Sequence, residues 1–168
     1  MAISFLTSTN IEIDVYLTFD PAFSLLEEEK EEYFSTGIYK GEVKEEMTRF
    51  TLKALSPSDR EEAEVGAGSY TRSELGRILW LEAPDDSKEK ARWHNDLSDE
   101  EKEAYGSYQA YLNRVYLEMI RSSLIKIDGE EASLDQVQMI RPESHRVQAI
   151  SELVLHIQRL SLLGDSGK

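Results

Sequence analysis

The segment from Glu143 to Leu163 reads ESHRVQAISELVLHIQRLSLL and decides the fold class. Its apolar residues recur at spacings of three and four, the period of an amphipathic helix. A second long helix is predicted over residues 98–124, because Ser98 and Glu101 form a capping box and apolar or aromatic residues follow with the same period. Two helices of this length make a helix-dominated protein.

Two strands are predicted near the amino terminus, at about residues 11–19 and 49–55. In the first, IEIDVYLTF, apolar and polar residues alternate, which is typical of a half-buried strand. In the second, RFTLKAL, Phe50 and Leu52 are expected to face inward. The predicted fold is therefore α+β with helix dominant. The strands pack with four to six helices, the longest being about 98–124 and 143–163.

Shorter elements are predicted between these. An acidic helix is expected over residues 25–34, and Ser56 is expected to cap a helix that starts with Pro57. Residues 125–131 contain an Asp-Gly turn signal and predict either a small hairpin or a plain helix exit. Further short helices are predicted from the capping pairs Thr71/Glu74 and Ser133/Gln136.

The chain is predicted to form one domain over residues 1–168, a length that can bury a core without disulfides. Residues 1–48 hold a strand, the acidic helix and a mobile loop. Residues 49–97 hold a strand and short helices, and residues 98–168 form an apolar helical core.

The charge balance limits the classes of partner. The chain has 33 acidic and 19 basic residues and a formal net charge of −14, and 13 of these net negative charges fall in residues 1–109. Such a field repels phosphate backbones and anionic lipids, so neither a nucleic acid nor a membrane is an expected partner. No signal peptide or stretch of roughly 20 apolar residues is seen, and no cysteine is present, which predicts a cytoplasmic protein.

No pattern of catalytic or metal-binding residues is found. The histidines, His94, His145 and His156, lack ligand spacing and are predicted to lie on the surface or at helix flanks. Gly66 and Gly68 lack the rest of a phosphate-binding loop, and no nucleophile–histidine–acid motif stands out. The protein is therefore predicted not to be an enzyme, and to need no metal or cofactor.

Protein partners remain, and two groups of residues are candidates for binding them. Four tyrosines crowd the predicted helix at 98–124, where core packing and a tyrosine-rich interface are both open interpretations. Apolar residues of the last helix form the second group. The candidate partner-binding residues are Tyr105, Tyr108, Tyr111, Tyr116, Val147, Ile150, Val154 and Ile157.

The run Phe50-x-Leu52-x-x-Leu55-Ser56-x-x-Asp59-Arg60-x-Glu62-x-Glu64 resembles a family of phage proteins. It looks like the strand and acidic helix of tail assembly chaperones from tailed bacteriophages. The resemblance covers residues 49–64 in motif and the rest of the chain in its acidity and small size. It implies a protein in the host cytoplasm that keeps the tape-measure protein soluble while tail-tube subunits polymerise. A homo-oligomer is compatible with it, and the family has no catalytic residues to transfer.

Two other functions stay open at this point. A structural virion component, such as a neck, adaptor or tail protein, would be present in the purified particle. An acidic mimic of a nucleic acid would need acids spaced like phosphates on one continuous face.

Overall fold

The computed structural model describes residues 11–68 and 74–165. These residues form seven helices and one four-stranded antiparallel sheet, which confirms a helix-dominated α+β fold. The elements in chain order are β1 Glu12–Val15, α1 Glu27–Thr36, β2 Phe50–Lys53, α2 Pro57–Gly66, α3 Glu74–Glu82, α4 Ser87–Asp96, α5 Asp99–Ser123, β3 Leu124–Ile127, β4 Glu130–Glu131, α6 Leu134–Gln138 and α7 Glu143–Asp165.

The two long helices lie within two residues of their predicted bounds, whereas both predicted strands are shorter than expected. β1 and β2 have four residues each. β1 ends at Val15 because the backbone N–H of Tyr16 donates to the hydroxyl of Tyr33, at 2.7 Å, and not to a neighbouring strand. A side chain distant in sequence therefore ends β1, although the alternation of apolar and polar residues continues beyond Val15 in the sequence.

Capping pairs start three helices where the sequence predicts them. Ser98 and Glu101 exchange bonds of 2.7 and 3.2 Å at the start of α5. Ser133 and Gln136 form the same motif before α6. Ser56 caps α2: its hydroxyl oxygen accepts from the backbone N–H of Asp59, and the Asp59 carboxylate accepts from the backbone N–H of Ser56. The pair Thr71/Glu74 cannot be compared, because Thr71 lies outside the described residues.

The described residues form seven helices, one more than the predicted four to six, and the additional helix is α4. The sequence Pro84-Asp85-Asp86 predicts only the end of α3, but Asp86 also caps a new helix. Its carboxylate accepts from the backbone N–H groups of Lys88 and Glu89 at 3.0 and 2.9 Å. One aspartate therefore separates two helices and stabilises the second.

The sheet has the order β1-β2-β3-β4, and β3 and β4 form a hairpin instead of a plain helix exit. Its turn holds Asp128 and Gly129 at φ 53° and 83°, the left-handed pair that a two-residue hairpin requires. Asp128 also exchanges backbone and side-chain bonds of 2.8 Å with Arg49, just before β2. These bonds join the turn of the hairpin to the residue that precedes β2.

The chain divides into two compact units. Unit 1 comprises residues 1–63 and 116–168, and unit 2 comprises residues 64–115. Unit 1 holds the sheet, α1, α6 and α7, and its most buried side chains include Leu52, Leu55, Leu153, Ile157 and Leu160. That the whole of residues 1–168 behaves as one domain, with the predicted division into 1–48, 49–97 and 98–168, stays a prediction.

Unit 2 contains the end of α2, helices α3 and α4 and the first part of α5, and its core is thin. Of the 26 buried hydrophobic residues among those described, only four lie in it: Ala67, Leu79, Tyr105 and Tyr111. Helix α4 buries none of its residues. A unit of about 50 residues has a high ratio of surface to volume, so little apolar area is removed from water there.

Gly37 ends α1 and leaves space for a side chain of α7. It adopts φ 76°, and a Cβ at this position would overlap the guanidinium of Arg159. Gly37→Ala is therefore expected to lower the free energy of unfolding by about 1–2 kcal/mol, chiefly from backbone strain, because the Arg159 guanidinium is the end of a flexible side chain and can shift. Urea unfolding followed by circular dichroism measures the change.

The matched control is Gly106→Ala in α5, where φ is not positive and no atom lies within 4 Å of the Cβ position. This variant is expected to gain about 1 kcal/mol, as replacement of glycine by alanine does inside helices. Equal effects of the two substitutions would contradict the left-handed backbone at Gly37.

Candidate functional site

Three of the four candidate tyrosines lie in unit 2. Tyr105 and Tyr111 are buried, at 4% and 8% exposure, and Tyr108 is half-buried between them on α5. Tyr116 is half-buried and belongs to unit 1. Tyr105 and Tyr111 therefore serve the core, and Tyr108 is the one of the three with substantial accessible surface.

Tyr105 is the centre of an aromatic cluster in unit 2. The indole of Trp80, on α3, stacks on its ring with centroids 5.9 Å apart. Trp93, on α4, meets the same ring edge-on at 5.2 Å, and His94 lies at 5.9 Å. Both tryptophans of the chain are in this cluster, and both are half-buried. Nothing in the local sequence around the two tryptophans predicts that both pack on one tyrosine.

Apolar side chains next to this cluster are open to solvent. Leu81 is 71% exposed and Ile78 is 40% exposed, three residues apart on α3. Val65, at the end of α2 within unit 2, is 79% exposed. We call Ile78 and Leu81 together the α3 surface. It places aliphatic groups in water on the unit that has least apolar core.

Two open clefts, each of about 390 Å³, border α5 in unit 2. The one towards α3 is lined by Tyr108, Tyr111 and the ion pair of Arg77 with Glu74, whose charged atoms are 2.8 Å apart. The one towards α4 is lined mostly by polar side chains, including Lys90, His94 and Gln109.

The candidate residues of α7 divide into core and surface. Val154 and Ile157 are 4% and 0% exposed, and Ile150 is half-buried, whereas Val147 is 56% exposed. The stripe is covered because α7 contacts α1, α6 and β2. Val154 and Ile157 are therefore core residues of unit 1 in this structure and offer no surface to a partner. Leu155, at 50% exposure, was not selected from the sequence but is accessible.

Polar residues enter the same core beside this stripe. His156 is fully buried, so the prediction that it lies on the surface or at a helix flank is wrong. Its ring lies 5.0 Å from that of Tyr33 and 5.4 Å from that of Phe34, measured between centroids. Glu152 is 6% exposed, one turn before it, and Arg159 follows at three residues. The spacing of four and three puts all three on one side of α7, and this spacing is the signal that could have revealed them.

The hydrogen bonds of this polar cluster define the charge of His156. Arg159 Nη1 lies 3.0 Å from His156 Nδ1 and 3.3 Å from the carbonyl oxygen of Tyr33. A guanidinium can only donate, so Nδ1 accepts and the ring is neutral with its proton on Nε2. Burial, reinforced by the positive charge of Arg159, lowers the pKa of His156 to about 3. Burial also lowers the pKa of Arg159 and raises that of Tyr33.

Glu152 is held by uncharged donors. It accepts from the backbone N–H of Thr18 and from the side-chain amide of Gln148, each at 2.8 Å, and from the hydroxyl of Thr18. Three donors compensate a carboxylate that has left water. The bond to Thr18 crosses 134 residues of sequence and fastens the segment after β1 to α7.

Neither a metal site nor a membrane span is found in the part of the chain that the structure describes. Its histidine and acidic side chains form no group of three or more that could hold an ion. No helix within residues 11–68 or 74–165 is both long and apolar enough to cross a bilayer.

Comparison with known proteins adds no assignment. No protein-family model, curated protein or solved structure matches the chain. Inference about its function therefore depends on the exposed and half-buried side chains of the two units.

Tyr33, beside the polar cluster, and Tyr105, in the aromatic cluster, are both buried. Removing the hydroxyl is expected to change the free energy of unfolding differently at the two positions. The hydroxyl of Tyr33 accepts from Tyr16 N–H at 2.7 Å and donates to Tyr16 O at 3.1 Å, while that of Tyr105 is buried without a partner. Tyr33→Phe is expected to cost about 1–3 kcal/mol, because it leaves buried backbone groups unpaired. Tyr105→Phe is expected to be neutral or to stabilise by up to about 1 kcal/mol. Denaturant unfolding of both variants measures the difference, and a similar loss for each would contradict it.

The neutral state of His156 predicts a loss of stability in acid. The unfolded chain binds a proton at this imidazole below about pH 6.5, whereas the folded chain does so only near pH 3. The free energy of unfolding should therefore fall as the pH drops through this window, by up to about 1.4 kcal/mol per pH unit from this group.

The variant His156→Gln should show a shallower pH dependence than the parent between about pH 6.5 and 5, because glutamine accepts from Arg159 without titrating. His145→Gln is the control, since it removes a half-buried imidazole from the same helix. Urea unfolding across this pH range measures the slopes, and equal slopes for the parent and His156→Gln would refute the assignment.

Proposed function

We propose that the protein is a non-catalytic accessory protein that binds another protein through unit 2. The observation that carries the proposal is the contrast between a thin core and an exposed apolar surface in the same unit. Trp80, Trp93 and Tyr108 are only half-buried, and the α3 surface lies in water beside them. Tryptophan and tyrosine supply much of the binding energy at protein interfaces, so this composition favours a protein partner.

The energetics favour the same partner class. Fully burying a leucine or isoleucine side chain contributes about 1.5–3 kcal/mol. Leu81 and Ile78 retain much of that area in the free protein. A partner that covers them would therefore gain binding energy and also supply apolar contacts that unit 2 lacks. A partner with apolar helical segments has the side chains to do so.

The specific class that we propose is a tail assembly chaperone of a tailed bacteriophage. Residues 49–64 support it, because β2 passes into the capped acidic helix α2 within the motif that resembles this family. The net charge of −14 supports it as well, since a strongly charged complex keeps an apolar partner in solution. The partner is then the tape-measure protein or a tail-tube protein, bound in the host cytoplasm.

The alternative is a structural virion component, which also binds tail proteins but stays in the particle. The position of the gene and the contents of the particle separate these functions. A gene between those for a tail-tube protein and a very long helical protein supports tail assembly, and a gene among metabolic genes contradicts it. Mass spectrometry of purified particles then finds a structural component in stoichiometric amount, whereas an assembly chaperone is missing.

The α3 surface gives the direct test. The double variant Ile78→Ser and Leu81→Ser is expected to weaken binding of the neighbouring gene's helical protein at least tenfold, a loss of about 1.4 kcal/mol. Isothermal titration calorimetry with the purified partner measures the dissociation constant.

The matched control is Leu26→Ser, because Leu26 is 72% exposed and lies in unit 1 at the start of α1. It removes a leucine of similar exposure without touching unit 2, so binding should be unchanged. If the control weakens binding as much as the double variant does, unit 2 is not the binding surface.

A further inference from the structure

A cleft of about 390 Å³ in unit 2 is formed by α5, the start of α3 and the end of α2. We call it the α3 cleft. Its wall on α5 is apolar and aromatic and consists of Tyr108, Tyr111, Leu112 and Val115. All of the lining that the structure describes belongs to unit 2. This volume lies in the range of pockets that take up small molecules, so the end of one long side chain fits inside it.

Three charged side chains complete the described lining of the α3 cleft, and acids outnumber bases among them. Arg77 is paired with Glu74 at 2.8 Å, so its positive charge is compensated, and Glu64 adds a second carboxylate. The unit around the cleft has the same sign, since residues 64–115 include 11 acids and seven bases, a net charge of −4. The cleft therefore attracts a cationic group and repels an anionic one.

The α3 cleft and the α3 surface share one side of the helix α3. Ile78 follows Glu74 by four residues, and Leu81 follows Arg77 by four, so each apolar residue lies one turn beyond a charged residue of the cleft. One turn corresponds to a rise of about 6 Å along the helix. A second helix that lies along α3 and covers Ile78 and Leu81 therefore brings a side chain of its next turn over the cleft.

We propose that unit 2 takes up an apolar helix that carries a lysine or arginine one turn from its apolar residues, with the basic side chain in the α3 cleft. This inference rests on the proposed binding of a protein partner by unit 2, and it specifies the chemistry of that partner. The aliphatic stem of the basic residue packs against Tyr108 and Leu112, while its charged end stays near Glu64 and Glu74 at the open side.

Charge complementarity selects a basic residue over other residues at this position. A carboxylate would approach Glu64 and Glu74, and an uncharged amide would gain little from them. A cation within about 6 Å of a tyrosine ring is attracted by the ring as well. Because Glu64 and Glu74 are exposed, water weakens the attraction, and the expected preference is about two- to fivefold in the dissociation constant.

Three synthetic peptides of about 16 residues, long enough to form a helix, test this preference. They share one leucine face and neutral residues elsewhere. They differ only at two positions, one turn to either side of the leucines, which hold lysine, glutamine or glutamate. Either direction of binding then places one of these residues over the cleft. Tryptophan fluorescence reports binding, because both tryptophans of the chain, Trp80 and Trp93, lie in unit 2 and the peptides contain none.

The lysine peptide is expected to bind about two- to fivefold more tightly than the glutamine peptide at about 0.05 M salt, and the glutamate peptide least tightly. Raising the salt to about 0.5 M should remove the differences, because it screens exposed charges. Equal dissociation constants for the lysine and glutamine peptides at low salt overturn the proposal, as does an absence of binding by the lysine peptide at about 1 mM.

The double variant Glu64→Gln and Glu74→Gln tests whether the cleft is the source of the preference. It should bind the lysine and glutamine peptides equally, and circular dichroism verifies that it is folded. The matched control is Glu28→Gln with Glu31→Gln, which removes the same charge from exposed positions of α1 in unit 1. This control should retain the preference. If it loses the preference as fully as the cleft variant does, the charge of the whole protein selects the lysine, and the proposal is wrong.

The double variant Ile78→Ser and Leu81→Ser separates this inference from the proposed function. If it weakens all three peptides while the parent binds the lysine and glutamine peptides equally, unit 2 binds an apolar helix without selecting a base. In that case the inference fails and the proposed function stands. If the variant leaves the binding of every peptide unchanged, the α3 surface is not a binding surface, and both fail.

Discussion

Burial of Glu152 and His156 of α7, with the half-buried Arg159 beside them, is the constraint on which unit 1 depends. Arg159 reaches the carbonyl oxygen of Tyr33 and needs the space that Gly37 leaves, so the end of α1 is placed by α7. Glu152 binds the backbone and side chain of Thr18, and so places the segment after β1. An apolar stripe alone tolerates small shifts of a helix, whereas buried hydrogen bonds lose their energy when donor and acceptor separate. The polar cluster therefore specifies one arrangement within a core that is otherwise hydrophobic.

The two units use their aromatic side chains differently. In unit 1, Tyr33 is 1% exposed and its hydroxyl bonds the backbone of Tyr16, so the ring contributes both apolar area and a strand end. In unit 2, Tyr105 has a buried hydroxyl without a partner, and the tryptophans packed on it remain half-exposed. This core therefore contains a buried hydroxyl that lacks a hydrogen-bond partner, and its two indoles are still partly exposed to solvent. This difference is the physical basis for the proposal that unit 2 binds a partner.

Charge is distributed along the chain in a way that matches these roles. The exposed acids of α1, including Glu27, Glu28, Glu31 and Glu32, lie in the amino-terminal part that carries most of the net charge. The last third is nearly neutral, and in α7 Glu152 is buried whereas Glu143, at the start of the helix, is exposed. One side of α7 builds the core of unit 1. A low charge favours this burial, because a charged side chain loses its hydration when it leaves water.

The sequence by itself determined the helix-dominated α+β class, the long helices and several of their caps. Ser98/Glu101, Ser133/Gln136 and the Asp128-Gly129 turn are decided by bonds and dihedral angles within three or four residues, which local sequence encodes. The candidate surfaces were predicted less well: Tyr108 and Val147 are accessible, but Val154 and Ile157 are in the core. Tertiary structure alone decided which side of α7 is covered, that His156 is buried and neutral, that Tyr33 ends β1, and that Trp80 and Trp93 meet on Tyr105. These outcomes depend on contacts between residues up to 134 positions apart, and a helical period shows that a face is apolar without showing what covers it.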